Sequence, residues 1–158
     1  MVAYTDSIGF DKGSAAPDYR GSHRTYVAEV LMDFAAITAA RVAAGATAFT
    51  DTDSIQAIPI PAQTVVHAVG LEVLVAEGGT ATADVGSTDT DGYLDGVDIN
   101  AAVGTSYATS DGTTGYANGF YYGSADTIDL LMVNALDTAV IRIWAICTNV
   151  DGSVEYQT

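Results

Sequence analysis

From Ser54 to Thr148 the chain is a succession of short apolar or alternating runs, cut every few residues by Gly, Pro, Asn or Asp, and nowhere keeps a helical period. Such a pattern dictates strands joined by turns. Residues 55–60, bounded by Pro59 and Pro61, suit a sheet edge, because proline cannot donate to a ladder. Residues 64–76 form the longest apolar strand, with Gly70 inside it as a bend or bulge. Glu77-Gly78-Gly79 then turns the chain into 80–85, read as the second arm of a hairpin. Further strands are expected at 101–108 and 127–133, separated by a Gly/Thr/Asn-rich loop at 110–119 and the run Phe120-Tyr121-Tyr122. The last strand, 139–148, sets Val140, Arg142, Trp144 and Ile146 against Ile141, Ile143, Ala145 and Cys147.

Before Ser54 the pattern differs. Residues 26–32 alternate as a first strand, with Val27, Glu29 and Leu31 on one face. Asp33 then stands as a helix N-cap before Phe34, Ile37, Arg41 and Val42 at helical spacing, and Gly45 supplies the stop, giving about three turns. Residues 1–25 hold few large apolar side chains and carry Gly9, Gly13, Pro17 and Gly21, the marks of an extended arm. The expected architecture is therefore mainly β: an antiparallel β-sandwich or jelly-roll-like domain over 26–158, with one short helix and an extended N-terminal arm over 1–25. The absence of a βαβ pattern removes the doubly wound nucleotide-binding folds.

Charge narrows the partners. The formal net charge is -15, and residues 42–141 contain no Lys or Arg, whereas Lys12, Arg20 and Arg24 sit in the arm. An acidic body repels phosphate backbones, so direct nucleic-acid binding is not expected. Acids or Arg142 interrupt every long apolar run, so no membrane span is expected either. The first residues lack a basic start and an apolar segment, which implies synthesis in the cytoplasm. At 49% hydrophobic and 16% charged, the chain has more apolar surface than a lone small domain hides easily. Its single cysteine, Cys147, falls in the apolar pattern of the last strand and reads as core.

The densest cluster of ligand-type residues lies between Thr80 and Ile99. With Ser87 at the first position of a calcium loop, Asp89, Asp91, Gly92, Asp95 and Asp98 fall near the third, fifth, sixth, ninth and twelfth positions. Ser87 replaces the expected acid and Asp98 is shorter than the usual bidentate Glu, while ordinary turn chemistry explains the same Asp and Gly residues. No cofactor is expected, and Asp89, Asp91, Asp95 and Asp98 stand as an alternative calcium set. His67 and His23 have no catalytic partner motif, and paired carboxylates on one turn lack the fixed separation of a glycosidase site. Enzymatic activity is not expected. Tyr116, Phe120, Tyr121, Tyr122 and Trp144 offer a sugar-stacking platform or an interface, of which Tyr121, Tyr122 and Trp144 are expected at an oligomer contact.

Several stretches together carry a resemblance: Ile58-Pro59-Ile60-Pro61-Ala62, the strand from Val65 to Val75, Glu77-Gly78-Gly79-Thr80, Asp84-Val85-Gly86, Asp91-Gly92-Tyr93-Leu94-Asp95-Gly96, Tyr121-Tyr122, Ala125-Asp126-Thr127-Ile128 and Thr138-Ala139-Val140-Ile141. Over residues 26–148 the chain resembles small head structural proteins of tailed bacteriophages, in particular capsid decoration (cement) proteins. The resemblance implies a non-enzymatic virion protein on the outer capsid surface, a homotrimer whose partner is the major capsid protein and which stabilises the shell. Tyr4, Phe10, Lys12, Tyr19, Arg20 and Arg24 of the arm are then the expected capsid contacts. A head fibre or tail component, and a calcium-dependent carbohydrate-binding module using the acidic loop and the tyrosines, are the alternatives.

Overall fold

The computed structural model describes residues 25–109 and 114–150. Within them lie nine strands and one helix in two antiparallel sheets, in accord with a mainly β sandwich. The first sheet, here sheet I, has the order β1 (Thr25–Asp33), β9 (Val140–Asn149), β3 (Thr64–Val75), and then β6 (Ser106–Ala108) and β7 (Phe120–Tyr122), which both pair with β3. Sheet II has the order β2 (Ser54–Ile60), β8 (Asp126–Met132), β4 (Thr82–Gly86), β5 (Leu94–Asp98). The chain crosses repeatedly between the sheets, and the first and last strands lie side by side in sheet I.

Alternation decides which side chains meet between the sheets. In β9, Ile141, Ile143, Ala145 and Cys147 are buried while Val140, Arg142, Trp144 and Ile146 are only half-buried, as a period of two requires. Val66, Val69, Leu71 and Val73 of β3 join them from the same sheet; Ile128, Leu130 and Met132 of β8, with Val85 of β4, face them from sheet II. Each large aliphatic side chain enclosed this way contributes about 1.5–3 kcal/mol relative to exposure.

The helix α1 (Phe34–Ala43) forms where the caps place it. The Asp33 carboxylate accepts the Ala36 N–H at 3.1 Å, and Gly45, at φ +86°, takes the left-handed conformation that ends the helix. Phe34 drops into the core and meets Phe49 edge to face, while the Arg41 guanidinium lies 4.6 Å over the Phe49 ring and its Nε donates to the Thr47 carbonyl. β2 is an edge strand, as its prolines require.

Three expectations are corrected. β3 and β4 are not a hairpin: they belong to different sheets, and the Glu77-Gly78-Gly79 segment carries the chain from one to the other. Gly70 is neither bend nor bulge. It pairs in register with Trp144, and the irregularities of β3 fall at 66–68 and 73–75; glycine is needed because a Cβ at 70 would lie inside the Trp144 indole. The hairpin partner of β4 is β5, in a stretch with too few apolar residues to announce a strand. The expected strand at 101–108 shrinks to β6.

Candidate interaction surface

The outer face of sheet I is built row by row from the strand register. Thr25, Thr148, Val65 and Tyr121 form one row; Glu29, Trp144, Gly70 and Ala108 another; Leu31, Arg142, Glu72 and Ser106 a third. Between and beyond them come Val27 beside Ile146, and Val140 beside Val75. Apolar side chains dominate, and Val27, Leu31, Val75 and Tyr121 remain 63%, 61%, 47% and 53% exposed. Several exposed apolar side chains on one sheet face mark an interaction site more often than isolated ones do. Its charges are one Arg and three acids: Arg142 pairs with Glu72 at 3.6 Å, Glu29 stands beside Trp144, and Asp33, the helix cap, stands beside Val140. His67, on this face where β3 bulges, shares a 2.9 Å hydrogen bond with the Thr148 hydroxyl.

Of the three residues expected at an oligomer contact, the structure brings two to this face and removes the third. Tyr121 is exposed there, and Trp144 covers the backbone at Gly70. Tyr122 is buried, because alternation in β7 turns its side chain inward, where the Tyr93 hydroxyl donates to its oxygen at 3.1 Å. Burial, and then that shared hydrogen bond, push the Tyr93 hydroxyl well above its ordinary value; burial also raises Tyr122. Tyr116 and Phe120 stack with this pair, with ring centroids 5.0 Å apart for Tyr93–Tyr116 and 4.1 Å for Tyr116–Phe120. The aromatic run is therefore largely core, and Trp144 stands apart from it on the other side of the sheet.

The acidic stretch becomes the β4–β5 hairpin and its loop, and the calcium alignment does not survive the geometry. Asp98 pairs opposite Thr82, so it sits five residues down the hairpin from Ser87, about 16 Å at strand rise, whereas the first and last ligands of such a loop must converge. Ser87 donates its hydroxyl proton to Asp126, Asp98 accepts the Asn100 N–H, and the Asp89 carbonyl accepts from Ser87 and Gly92. The neighbouring Asp91 carboxyl raises the Asp89 carboxyl above its usual range, while Asp95 is exposed on β5. Among the described residues no three His, Cys, Asp or Glu side chains are grouped to hold a metal ion. What the hairpin does provide is an acidic outer face for sheet II, with Asp84, Asp98 and Asp129 at outward register positions and Asp95 beside them.

Cys147 is buried, and burial pushes its thiol up. Tyr4, Phe10, Lys12, Tyr19, Arg20 and Arg24, and His23, lie outside the described residues. Val27, Leu31, Val75, Val140 and Ile146 went unassigned from sequence although a signal was present. Both faces of the last strand are apolar, and a strand with two apolar faces needs a cover on each.

No family model matches the chain, and no curated protein matches it. Solved structures do. A chain of the cyanophage Pam1 capsid superposes with a TM-score of 0.60 at 17% identity, covering 84% of this chain and 90% of that one. A chain of the Ralstonia phage GP4 capsid gives 0.57 at 11% identity, over 84% and 89% respectively. One from the acidic stable capsid of Helicobacter pylori bacteriophage KHP30 gives 0.53 at 16% identity, over 80% and 88%. At these identities the likeness is one of fold.

Proposed function

We propose that this chain is a non-enzymatic structural component of a bacteriophage virion, a decoration or cement protein that binds the outside of the capsid and stabilises the shell. The observation that carries the reading is the fold: three phage capsid structures contain chains that share it over at least 80% of this sequence. The apolar outer face of sheet I supports it, since it offers a binding surface. In this reading the protein self-associates as a homotrimer, contacts the major capsid protein through Tyr4, Phe10, Lys12, Tyr19, Arg20 and Arg24, and works by multivalency. Each oligomer bridges several shell subunits, so modest contacts add through effective concentration.

The test is co-sedimentation of the purified chain with undecorated shells, followed by cryo-electron microscopy of the pellet. Density for the sandwich on the outer surface is the expected result; density confined to a fibre or the tail rejects the cement role. A chain lacking residues 1–25 is expected to keep its β-domain by circular dichroism and to lose the shells. Undiminished decoration by the truncated chain removes the arm from the interface.

A further inference from the structure

The two outer faces of the sandwich are chemically opposite, and that opposition says what covers sheet I. Sheet II turns Asp84, Asp95, Asp98 and Asp129 outward. Sheet I turns out Val27, Leu31, Trp144, Ile146, Val140 and Val75, and of its three acids Glu72 is paired with Arg142, Asp33 caps the helix and Glu29 stands beside Trp144. We infer that the outer face of sheet I is covered by a second copy of this chain. The inference names the surface of the self-association proposed above and rests on that reading.

Three physical points favour a second copy over another partner. A cationic partner finds only Glu29 uncommitted here and would settle instead on sheet II with its four outward aspartates, whereas a face richer in apolar side chains than in charge suits its own kind. Copies meeting through sheet I keep their acidic faces outward. With sheets about 10 Å apart, each acidic face lies a sandwich's thickness behind the contact, beyond the ~8 Å Debye length at physiological salt, whether two or three copies turn sheet I inward, so the charge of each copy scarcely opposes association. Size also fits. β6 and β7 share the lane beside β3, making the face four lanes wide, or about 19 Å by 33 Å over ten residues. That is about 600 Å² before side-chain relief is added, close to the ~800 Å² per partner of a standard specific interface. The centre of the patch is Trp144, laid over the bare backbone of Gly70, an aromatic of the type that dominates interface energies.

The experiment uses the full chain free in solution, without shells, so that its outcome is independent of capsid binding. Light scattering coupled to gel filtration is expected to show a multiple of 16.3 kDa for the wild type. Replacing the outward Val27 and Leu31 together by Lys is expected to weaken association at least ~100-fold and return the mass of one chain, while Asp95→Lys on the opposite face leaves it unchanged. Circular dichroism establishes that each variant is folded. Leu31→Cys gives a second readout: Cys147 is buried, so residue 31 carries the accessible thiol, and a bifunctional maleimide is expected to link copies. A wild type that stays monomeric at about 100 µM overturns the inference and hands the face to the shell or to residues 1–24 of the same chain. Retention of the wild-type mass by the double Lys variant, or no cross-linking within associated protein, overturns it as well.

Discussion

Glu77 is the only buried carboxylate among the described residues, 7% exposed, and its oxygens collect donors from a segment sixty residues away. The backbone N–H groups of Asp137, Thr138 and Ala139 reach one oxygen at 3.0–3.1 Å, and the Thr138 hydroxyl reaches the other at 2.7 Å. Burial alone pushes the carboxyl up, but these donors outweigh it and hold it at about 2, below its ordinary 4.5. The fold therefore prefers the ionised form. This stabilisation, on the order of 3 kcal/mol, is complete above the unfolded value near 4.5 and disappears as the pH falls through about 2. Glu77→Gln is expected to lower the unfolding free energy by ~2–3 kcal/mol at pH 7 and by about half of that at pH 3, checked by urea denaturation of both proteins. A deficit of equal size at both pH values contradicts an ionised hub. Nothing near residue 77 in the sequence signals this. Glu-Gly-Gly looks like a turn, and its partners become neighbours only when β9 lies beside β3.

At the scale of elements, the structure agrees with the sequence wherever the signal is local. The Asp33 cap, the Gly45 stop and the alternation of β9 each depend on residues within a turn or two of one another. The change of sheet between β3 and β4 depends on global wrapping, and Leu94-Asp95-Gly96-Val97-Asp98 is a strand because β4 recruits it, with Gly96 at φ +61°. Of the candidate site, Trp144 and Tyr121 were legible as aromatics in strands, whereas the inward turn of Tyr122 was not, since a three-residue strand carries too little pattern to fix its phase. Gly70 belongs to the same lesson, being a glycine that serves the strand next door. Gly70→Ala forces a methyl group against the indole and is expected to cost about 1–3 kcal/mol, with Trp144 displaced towards water. Because Trp144 is the only tryptophan, a red-shifted emission together with a lower melting temperature is the expected signature. Unchanged emission and stability would show that the ring does not lie over residue 70.

For the whole molecule, the charge of -15 is both segregated and uncompensated: Arg41 and Arg142 are the only Lys or Arg side chains among the described residues. Arg41 lies 3.9 Å from Asp53, and Arg142 is engaged by Glu72, so the acids of sheet II face one another without a cation. Asp84 records the result. Partial burial first, and then the charges of Asp95 and Asp91, raise its carboxyl despite the hydrogen bond from Gly96. A raised carboxylate works opposite to Glu77, its stabilisation being lost as the pH rises through the folded value. Crowding of this kind is relieved by screening. Raising sodium chloride from about 10 mM to about 150 mM shortens the Debye length from ~30 Å to ~8 Å, and the melting temperature is expected to rise over that range and then level off. Asp95→Asn, which removes an exposed acid from the cluster, is expected to raise the melting temperature at low salt and to make little difference at high salt. Calorimetry of both proteins across the salt series checks this. A melting temperature indifferent to salt would mean that the acidic face carries no strain, and that its charge serves only to keep sheet II in water.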